Sequence, residues 1–514
     1  MPSKNGTNQR LRVTRHPLVY EVNTRILLRE LSAEERTPVT LGTIPDRILE
    51  EWASLGFDAV WMMGVWATGS VGREIARSHP ALQEEFHRAL PDLTPDDIQG
   101  SPYAVSAFAV PKEFGGSSGL RTLRTRLGRL GIGLILDFIC NHTARDHGWV
   151  SEHPEFYVQG REDDDRVLPD LFFRAATKEG ERVIAHGKDP LFPAWTDTAQ
   201  LNIMHPGLRS ALIAQLRDIA GRCDGVRCDM AMLVLNDVFW QTWGAMVRRP
   251  DGAGADREFW SEALKTIRET AKDFLFIAEA YWDREWDLQQ LGFDATYDKR
   301  LYDRLRHEGA SSVRDHLTAA IEFQNKSLRF IENHDEPRAG GAFPGDAWHY
   351  AAAVAMSTVP GGVLFHEGQL DGRTAKLPVQ LVRRPVEPRS AFVRAFYERL
   401  LKCLASPAIR QGKWTMLEVH PSWHDNPTSQ NFLAFWWAYE GNGDRLVVIN
   451  YAPHSGQGYV QLPFREPAGS SLEFRDLMGE AVFVRDSAGL QSRGMFFDLP
   501  GYGFHFFEVS SVQR

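Results

Sequence analysis

An apolar run at residues 225–228, Gly-Val-Arg-Cys, ends on the acidic residue Asp229. A helix-length amphipathic stretch at 208–221 precedes it, and a second one at 258–271 leads to another apolar run, Phe-Leu-Phe-Ile-Ala, at 274–278. Short apolar runs that alternate with helix-length stretches predict β-strands joined by helices. Because these runs are apolar almost throughout, they indicate parallel strands that are buried on both faces.

The same alternation extends in both directions along the chain. It predicts eight strands, at residues 18–23, 57–63, 133–138, 225–228, 274–278, 293–297, 328–331 and 362–365. Eight strand–helix repeats are typical of an α/β fold of the (β/α)8 TIM barrel type. A doubly wound open sheet is the alternative, but no Gly-x-Gly-x-x-Gly turn follows the first strand to favour it.

Two long segments interrupt the alternation, and its character changes near the end. Residues 64–112 follow the second predicted strand, and residues 142–205 follow the third. Strands predicted at 432–439 and 445–451, with a turn at 441–443, form a hairpin that predicts a C-terminal antiparallel β-sandwich. The expected domains are the catalytic barrel (1–141 and 206–405), an inserted subdomain (142–205) and the β-sandwich (406–514).

Composition narrows the class of protein. The 514 residues carry a formal net charge of −9, which argues against nucleic acid or an anionic membrane as the main partner. No stretch resembles a signal peptide or is apolar enough to cross a bilayer. The four cysteines do not form a disulfide pattern or a zinc motif, and they indicate buried thiols in a reducing, cytoplasmic compartment: Cys140, Cys223, Cys228 and Cys403.

Three acidic residues lie where predicted strands end: Asp229, Glu279 and Asp335. Active sites of barrel enzymes form at the carboxyl ends of the strands, so these side chains are expected to meet there. Retaining cleavage of a glycosidic bond needs one ionised and one protonated carboxyl at the same sugar carbon. The three acids therefore indicate an enzyme that acts on α-linked sugars.

Several motifs occur in one order along the chain. They are Asp-Phe-Ile-Cys-Asn-His at 137–142, Leu-Asn-Ile-Met-His-Pro at 201–206, Gly-Val-Arg-Cys-Asp at 225–229, Glu279, and the pair His334-Asp335. Together they resemble the α-amylase superfamily of glycoside hydrolases, glycoside hydrolase family 13. The resemblance implies a barrel with a subdomain inserted after the third strand and a terminal β-sandwich, as the strand pattern also predicts.

The resemblance assigns roles to the acids. Asp229 would be the nucleophile, Glu279 the general acid and then the general base, and Asp335 the carboxylate that holds sugar hydroxyls. Arg227 lies two residues before Asp229 and so on the same side of the strand, where its charge would favour the ionised nucleophile. Asp137 would orient Arg227.

Further residues are expected around the sugar. Tyr103 is at the position of the family's stacking tyrosine, and His142 and His334 resemble its donors of hydrogen bonds to hydroxyls. No cofactor is needed for this chemistry. A structural calcium ion is possible, with Asn141 as its candidate ligand, although residues 142–205 offer no convincing second ligand.

The sequence departs from the family where many amylases carry Lys-His after the nucleophile, because Met232 and Leu233 stand there. This departure favours short α-glucosides over starch. Hydrolysis and transfer share one covalent intermediate, so a retaining α-glycosidase and a transglycosidase both remain open, as does the oligomeric state. The alternative class is a catalytically silent barrel that binds carbohydrate.

Overall fold

Eight parallel strands close a barrel in the computed structural model, which describes residues 16–247, 257–440, 443–463 and 470–512. In chain order the strands are β1 (Leu18–Asn23), β2 (Ala59–Met63), β3 (Gly133–Ile139), β4 (Gly225–Asp229), β5 (Leu275–Ala278), β6 (Ala295–Tyr297), β7 (Ser327–Arg329) and β8 (Gly362–His366). Each strand pairs with its neighbours in sequence, and β1 pairs with β8. The predicted barrel is confirmed, and the open-sheet alternative is wrong.

Amphipathic helices surround the barrel. Helix Gly116–Arg129 shows why: it buries Leu120, Leu123 and Leu127, which recur along one face, and leaves its arginines outside. It ends before Gly131, whose φ of 76° lies in the left-handed region that favours glycine. The helices between strands are Thr24–Glu35, Asp46–Ser54, Gly116–Arg129, Pro206–Ala220, Asn236–Trp243, Phe259–Thr270, Glu285–Leu291, Lys299–His307, Ala310–Leu317, Ile321–Asn325, Ala339–Ala342 and Asp346–Ser357, with Ala391–Leu404 and Pro407–Gln411 after β8.

Strand register sets the geometry of the barrel's carboxyl end. Asp137 of β3 lies opposite Arg227 of β4, and Ile139 lies opposite Asp229. Since neighbours in register point to the same face, Asp137 and Arg227 both face the barrel interior. Asp137, Arg227 and Asp229 of the site described below lie on strands, whereas its other residues lie mainly on loops.

Two insertions lie at this end of the barrel. After β2, strands Ala67–Thr68 and Val105–Ala107 pair antiparallel, and helices Ser70–Ser78 and Pro80–Ala89 lie between them. After β3, the chain forms two small antiparallel sheets and two short helices: His142–Ala144 with Thr198–Gln200, Phe172–Thr177 with Gly180–Ala185, Gly148–Glu152 and Asp164–Val167. A subdomain does follow the third strand, while the exact bounds 142–205 stay a prediction.

The C-terminal region consists of two antiparallel sheets around a second apolar core. One has the order Lys413–Met416, Phe432–Ala438, Asp444–Asn450, Phe504–Val512, Ser471–Asp476 and Val482–Asp486; the other has the order Val419–His420, Gly456–Val460 and Met495–Leu499. Helix Ser487–Arg493 connects them. The predicted hairpin is present, but residues 441–442 of its turn lie outside the described residues.

The four cysteines are buried and unpaired, as the sequence predicts. Across the described ranges, none of the helices has both the length and the apolarity needed to cross a membrane.

Candidate active site

A single buried guanidinium links the first two acids. Arg227, on β4, is 1% exposed; its Nη1 lies 2.6 Å from Asp229 Oδ1, and its Nη2 lies 2.8 Å from Glu279 Oε2. The alternation of β4 directs Arg227 and Asp229 to the same face, as the sequence predicts. Asp229 Oδ2 is buried and has no hydrogen-bond partner among the described residues, so this oxygen is free to contact a substrate.

Glu279 accepts two further hydrogen bonds. The backbone N–H of Met230 donates to Oε2 at 2.6 Å, and the hydroxyl of Tyr281 donates to Oε1 at 2.9 Å. Met230 holds a φ of 43°, which is costly for a residue with a side chain. This backbone conformation at the residue after Asp229 aims the N–H at Glu279 and fixes the two carboxyls relative to each other.

Three carboxylates share the one positive charge of Arg227, since Asp137 Oδ1 also lies 3.9 Å from Nη1. Burial, together with the charges of Asp229 and Asp335, raises the pKa of Glu279 to about 7, against the opposing effect of Arg227. Burial likewise raises the pKa of Asp137 to about 6. Because one cation cannot compensate three anions, Glu279 is suited to carry a proton near neutral pH.

The third acid lies beside a charged histidine. His334 Nε2 is 3.0 Å from Asp335 Oδ2 and 2.7 Å from the hydroxyl of Tyr103, and His334 Nδ1 is 2.5 Å from Glu21 Oε1. Although burial opposes it, the carboxylates of Asp335 and Glu21 raise the pKa of His334 to about 10. The Asp335 side chain is 45% exposed, and its contact with His334 outweighs the desolvation of the carboxyl within the site and holds the pKa of Asp335 below its usual range. An ion pair therefore occupies this side of the site at neutral pH.

Aromatic rings enclose the Arg227 guanidinium. Its carbon lies 5.2 Å from the centre of the Trp61 ring and 5.1 Å from that of Tyr103. Trp61 also donates its indole N–H to Asp137 Oδ1 at 3.1 Å, and the backbone N–H of Gly64 donates to Asp137 Oδ2 at 2.9 Å. These contacts hold Asp137 behind Arg227, where it can orient the guanidinium.

His142 lies on the insertion side of the site. It is 4% exposed, and its ring centre lies 5.2 Å from that of Trp195. Burial lowers the pKa of His142, so its imidazole is neutral near pH 7 and can donate one hydrogen bond to a hydroxyl.

The surroundings of Asn141 bear on calcium. The amide nitrogen of Gln200 lies 2.9 Å from Asn141 Oδ1, 2.9 Å from the Asn141 carbonyl and 3.1 Å from the Leu201 carbonyl. Three oxygens thus converge on an amide N–H₂ group at the position where a cation would need them. Within the described parts of the chain, no group of three or more His, Cys, Asp or Glu residues could hold a metal ion. The residues at Asn141 therefore do not fit calcium in this arrangement.

The structure brings all eight predicted site residues to the carboxyl end of the barrel, but three of their partners escaped the sequence analysis. Glu21 is fully buried in strand β1. An acidic residue within this otherwise apolar run was the feature of the sequence that could have indicated its role. Trp61 and Tyr281 carried no such signal, because aromatic residues are common in strands and cores. Their roles follow from contacts that only the folded chain creates.

Met232 and Leu233 are buried in the one-turn helix Ala231–Val234, at 0% and 3% exposure. They belong to the apolar core rather than to the wall of an open groove. These two positions therefore offer no polar side chain to a long glucan substrate.

A cavity of about 440 Å³ adjoins Glu279 through Tyr281 and Met230. Two further aromatic residues line it beside Tyr281: the largely exposed Phe192 and the half-buried Trp282, which holds a φ of 63°. The lining cation Lys299 is 2.5 Å from Asp303 and 3.4 Å from Glu336, so it is compensated. Glu336 lines this cavity as well.

Known proteins are similar to this chain in sequence. The family profile for the α-amylase catalytic domain matches residues 49–380. Alpha-amylase MalA of Haloarcula japonica is 25% identical over 367 residues, which cover 70% of this chain and 44% of that protein. An α-1,4-glucan:maltose-1-phosphate maltosyltransferase of Rhodospirillum rubrum is 25% identical over 452 residues, covering 81% of this chain and 55% of that protein. The chain thus spans about half the length of these two relatives.

Solved structures agree on the fold. An α-amylase from Lactobacillus plantarum superposes with a TM-score of 0.65 at 18% identity, covering 96% of this chain and 99% of that one. A structural similarity at 18% identity shows the fold alone. The family profile, by contrast, matches well over half of the sequence. On that match, the chain belongs to the α-amylase family, glycoside hydrolase family 13.

Proposed function

We propose that the chain is a retaining α-glycosidase or transglycosidase that acts on α-glucosides or short α-glucans. The observation that carries the proposal is that Arg227 binds Asp229 and Glu279 at once. Asp229 Oδ2 attacks the anomeric carbon and forms a covalent glycosyl-aspartate, while Glu279 gives its proton to the leaving oxygen. Glu279 then removes a proton from the incoming water or sugar hydroxyl, which attacks the intermediate and releases Asp229.

The remaining residues bind the sugar ring. Asp335 accepts hydrogen bonds from hydroxyls, and the neutral His142 donates one. The charged His334 donates its Nδ1–H to Glu21 and offers its Nε2–H, which lies beside Asp335 and Tyr103, to a hydroxyl. Tyr103 stands half-exposed against His334, with its ring available to an apolar sugar face. The proposed steps require no metal ion.

The cavity beside Glu279 supports a neutral leaving group and acceptor. Phe192 and Trp282 offer aromatic faces for stacking, and the two cations that line it, Lys299 and Arg300, are already paired with carboxylates. A phosphate leaving group would meet Asp303 and Glu336 without a free cation. This charge balance favours a glycosidic substrate over a glycosyl phosphate such as the one in the name of the Rhodospirillum rubrum relative. Buried Met232 and Leu233 support short chains.

The test combines product analysis with two variants. Proton NMR of the first product from maltose, sucrose, trehalose and maltooligosaccharides should show the α-anomer and identify the acceptor. Asp229→Asn and Glu279→Gln should each lower the rate on an aryl α-glucoside by about a thousandfold or more, since each removes a group that reacts. A β-anomer as first product refutes retention, and full activity in both variants refutes the site.

A silent carbohydrate-binding barrel is the competing proposal. It predicts saccharide binding with no turnover in the unaltered protein, which the same NMR experiment detects. Buried, unpaired thiols support the further proposal of a reducing, cytoplasmic compartment.

A further inference from the structure

A second cavity, of about 640 Å³, lies apart from the proposed active site. Helix Thr24–Glu35, helix Ser70–Ser78 and the segment 111–114 each contribute to its wall. None of the three acids of the active site lines it. Any ligand here would therefore bind without contacting the reacting carboxyls.

Arg25 is the unusual residue of this cavity. It is only 8% exposed, yet none of the described carboxylates lies within ion-pair distance of it. Its Nη1 donates to the Gly100 carbonyl at 2.7 Å, and its Nη2 donates to Thr68 Oγ1 at 3.0 Å, both neutral acceptors. Burial, together with the nearby charge of Arg73, lowers the pKa of Arg25 to about 10, so it remains charged at neutral pH. A buried cation without a counter-charge is costly unless an anion joins it.

Arg73 adds a second cation on the same wall. It is half-buried, and the contact described for it is a long hydrogen bond of 3.4 Å to Gln99 Oε1. The third lining arginine, Arg29, is different, because it pairs with Asp97 at 3.1 Å. Arg25 and Arg73 thus provide uncompensated positive charge within the described part of the cavity.

Glu113 attracts Arg25 electrostatically, but burial and the charge of Arg73 outweigh this attraction. Asp96 and Glu113 are both exposed, where solvent screens them, and neither forms an ion pair with Arg25 or Arg73. The remaining wall includes the half-buried Phe114, whose ring can contact the apolar face of a small organic group, whereas Trp66 is only 1% exposed. The volume exceeds the space that one phosphate ion needs.

From these observations we infer that the cavity is an anion-binding site for a phosphate group, either free or esterified to a small organic body. Two guanidinium groups match a dianion better than a single carboxylate, because each can donate charge-assisted hydrogen bonds to several phosphate oxygens. The backbone that Arg25 holds at Gly100 leads within three residues to Tyr103. Arg25 thus links the cavity to the segment that carries Tyr103.

The test is calorimetric titration of the whole protein at low ionic strength. The probes are glucose 6-phosphate, inorganic phosphate and, as the uncharged match, glucose. The decisive variant is Arg73→Gln, because Arg73 makes few contacts and its loss should leave the fold intact. The matched control is Arg77→Gln on the same helix, whose exposed guanidinium donates to the Pro95 carbonyl.

Glucose 6-phosphate should bind the unaltered protein and Arg77→Gln equally, and bind Arg73→Gln about tenfold or more weakly, since a hydrogen bond to a charged group is lost. Glucose should not bind with comparable affinity. Inorganic phosphate binding as tightly as the ester, with the same dependence on Arg73, would support the site and assign the free anion as its ligand. No binding of either phosphate at millimolar concentration, or equal binding by Arg73→Gln and Arg77→Gln, overturns the inference.

Discussion

The hydroxyl of Tyr281 offers the sharpest test of the proposed acid–base residue. Among the described residues, it is the hydrogen-bond donor to Glu279 Oε1, whereas Oε2 receives Arg227 and the Met230 N–H. Tyr281→Phe removes this donor and leaves the ring in place. The ionised form of Glu279 loses more than the protonated form, so the pKa of Glu279 should rise.

The size of the change follows from the contact. The bond is 2.9 Å long and is made to a group that carries charge when ionised, so its loss should cost the carboxylate about 1.5–3 kcal/mol. At about 1.4 kcal/mol per pKa unit, the pKa of Glu279 should move from about 7 to about 8 or 9. An acid catalyst is active while protonated, so the alkaline limb of the pH–rate profile should move to higher pH by one to two units.

The assay is kcat/KM for an aryl α-glucoside whose poor leaving group requires protonation, measured from acid to alkaline pH. Tyr350→Phe is the matched control: it makes the same chemical change on helix Asp346–Ser357, outside the site, where the Tyr350 hydroxyl has no described partner. It should leave the profile unchanged. An alkaline limb that stays in place or moves to lower pH in a folded Tyr281→Phe variant would refute the assignment of Glu279 as the acid.

Variants at two further residues, Gln200 and Glu21, test the surroundings of the site. Gln200→Glu should lower the melting temperature in EDTA, because a carboxylate would replace the amide donor among three oxygens, and Ca²⁺ should restore the melting temperature. Gln200→Ala should lower the free energy of unfolding by about 2 kcal/mol or more, and Ca²⁺ should not stabilise this variant. Calorimetry measures these melting temperatures. Stabilisation of the unaltered protein by Ca²⁺ would contradict the conclusion that the residues at Asn141 do not fit calcium. Glu21→Gln should lower the pKa of His334 and reduce activity about tenfold. The loss of activity on the alkaline side should then begin at a lower pH than in the unaltered protein, because the imidazolium loses its proton there. A pH–rate profile unchanged by Glu21→Gln, and identical to that of the exposed control Glu322→Gln, would contradict the role given to this pair.

Much of the architecture was predictable because its causes are local. Each of the eight strands is a short apolar run followed by a helix-length amphipathic stretch, and the period of the apolar residues is set by the backbone geometry of each element. The positions of Asp229, Glu279 and Asp335 at strand ends were predictable for the same reason. The bounds of the insertion at 142–205 and the roles of the three acids stay predictions.

Contacts between distant segments could be decided only by barrel closure. Glu21 and His334 lie 313 residues apart, and they meet because β1 and β7 both end at the same rim. The amide of Gln200 among three oxygens and the uncompensated Arg25 in its cavity likewise depend on side-chain directions and on how insertions pack. A residue's sequence neighbours determine its secondary structure and whether it tends to be buried, whereas its pKa and its partners depend on charges brought near it by the fold.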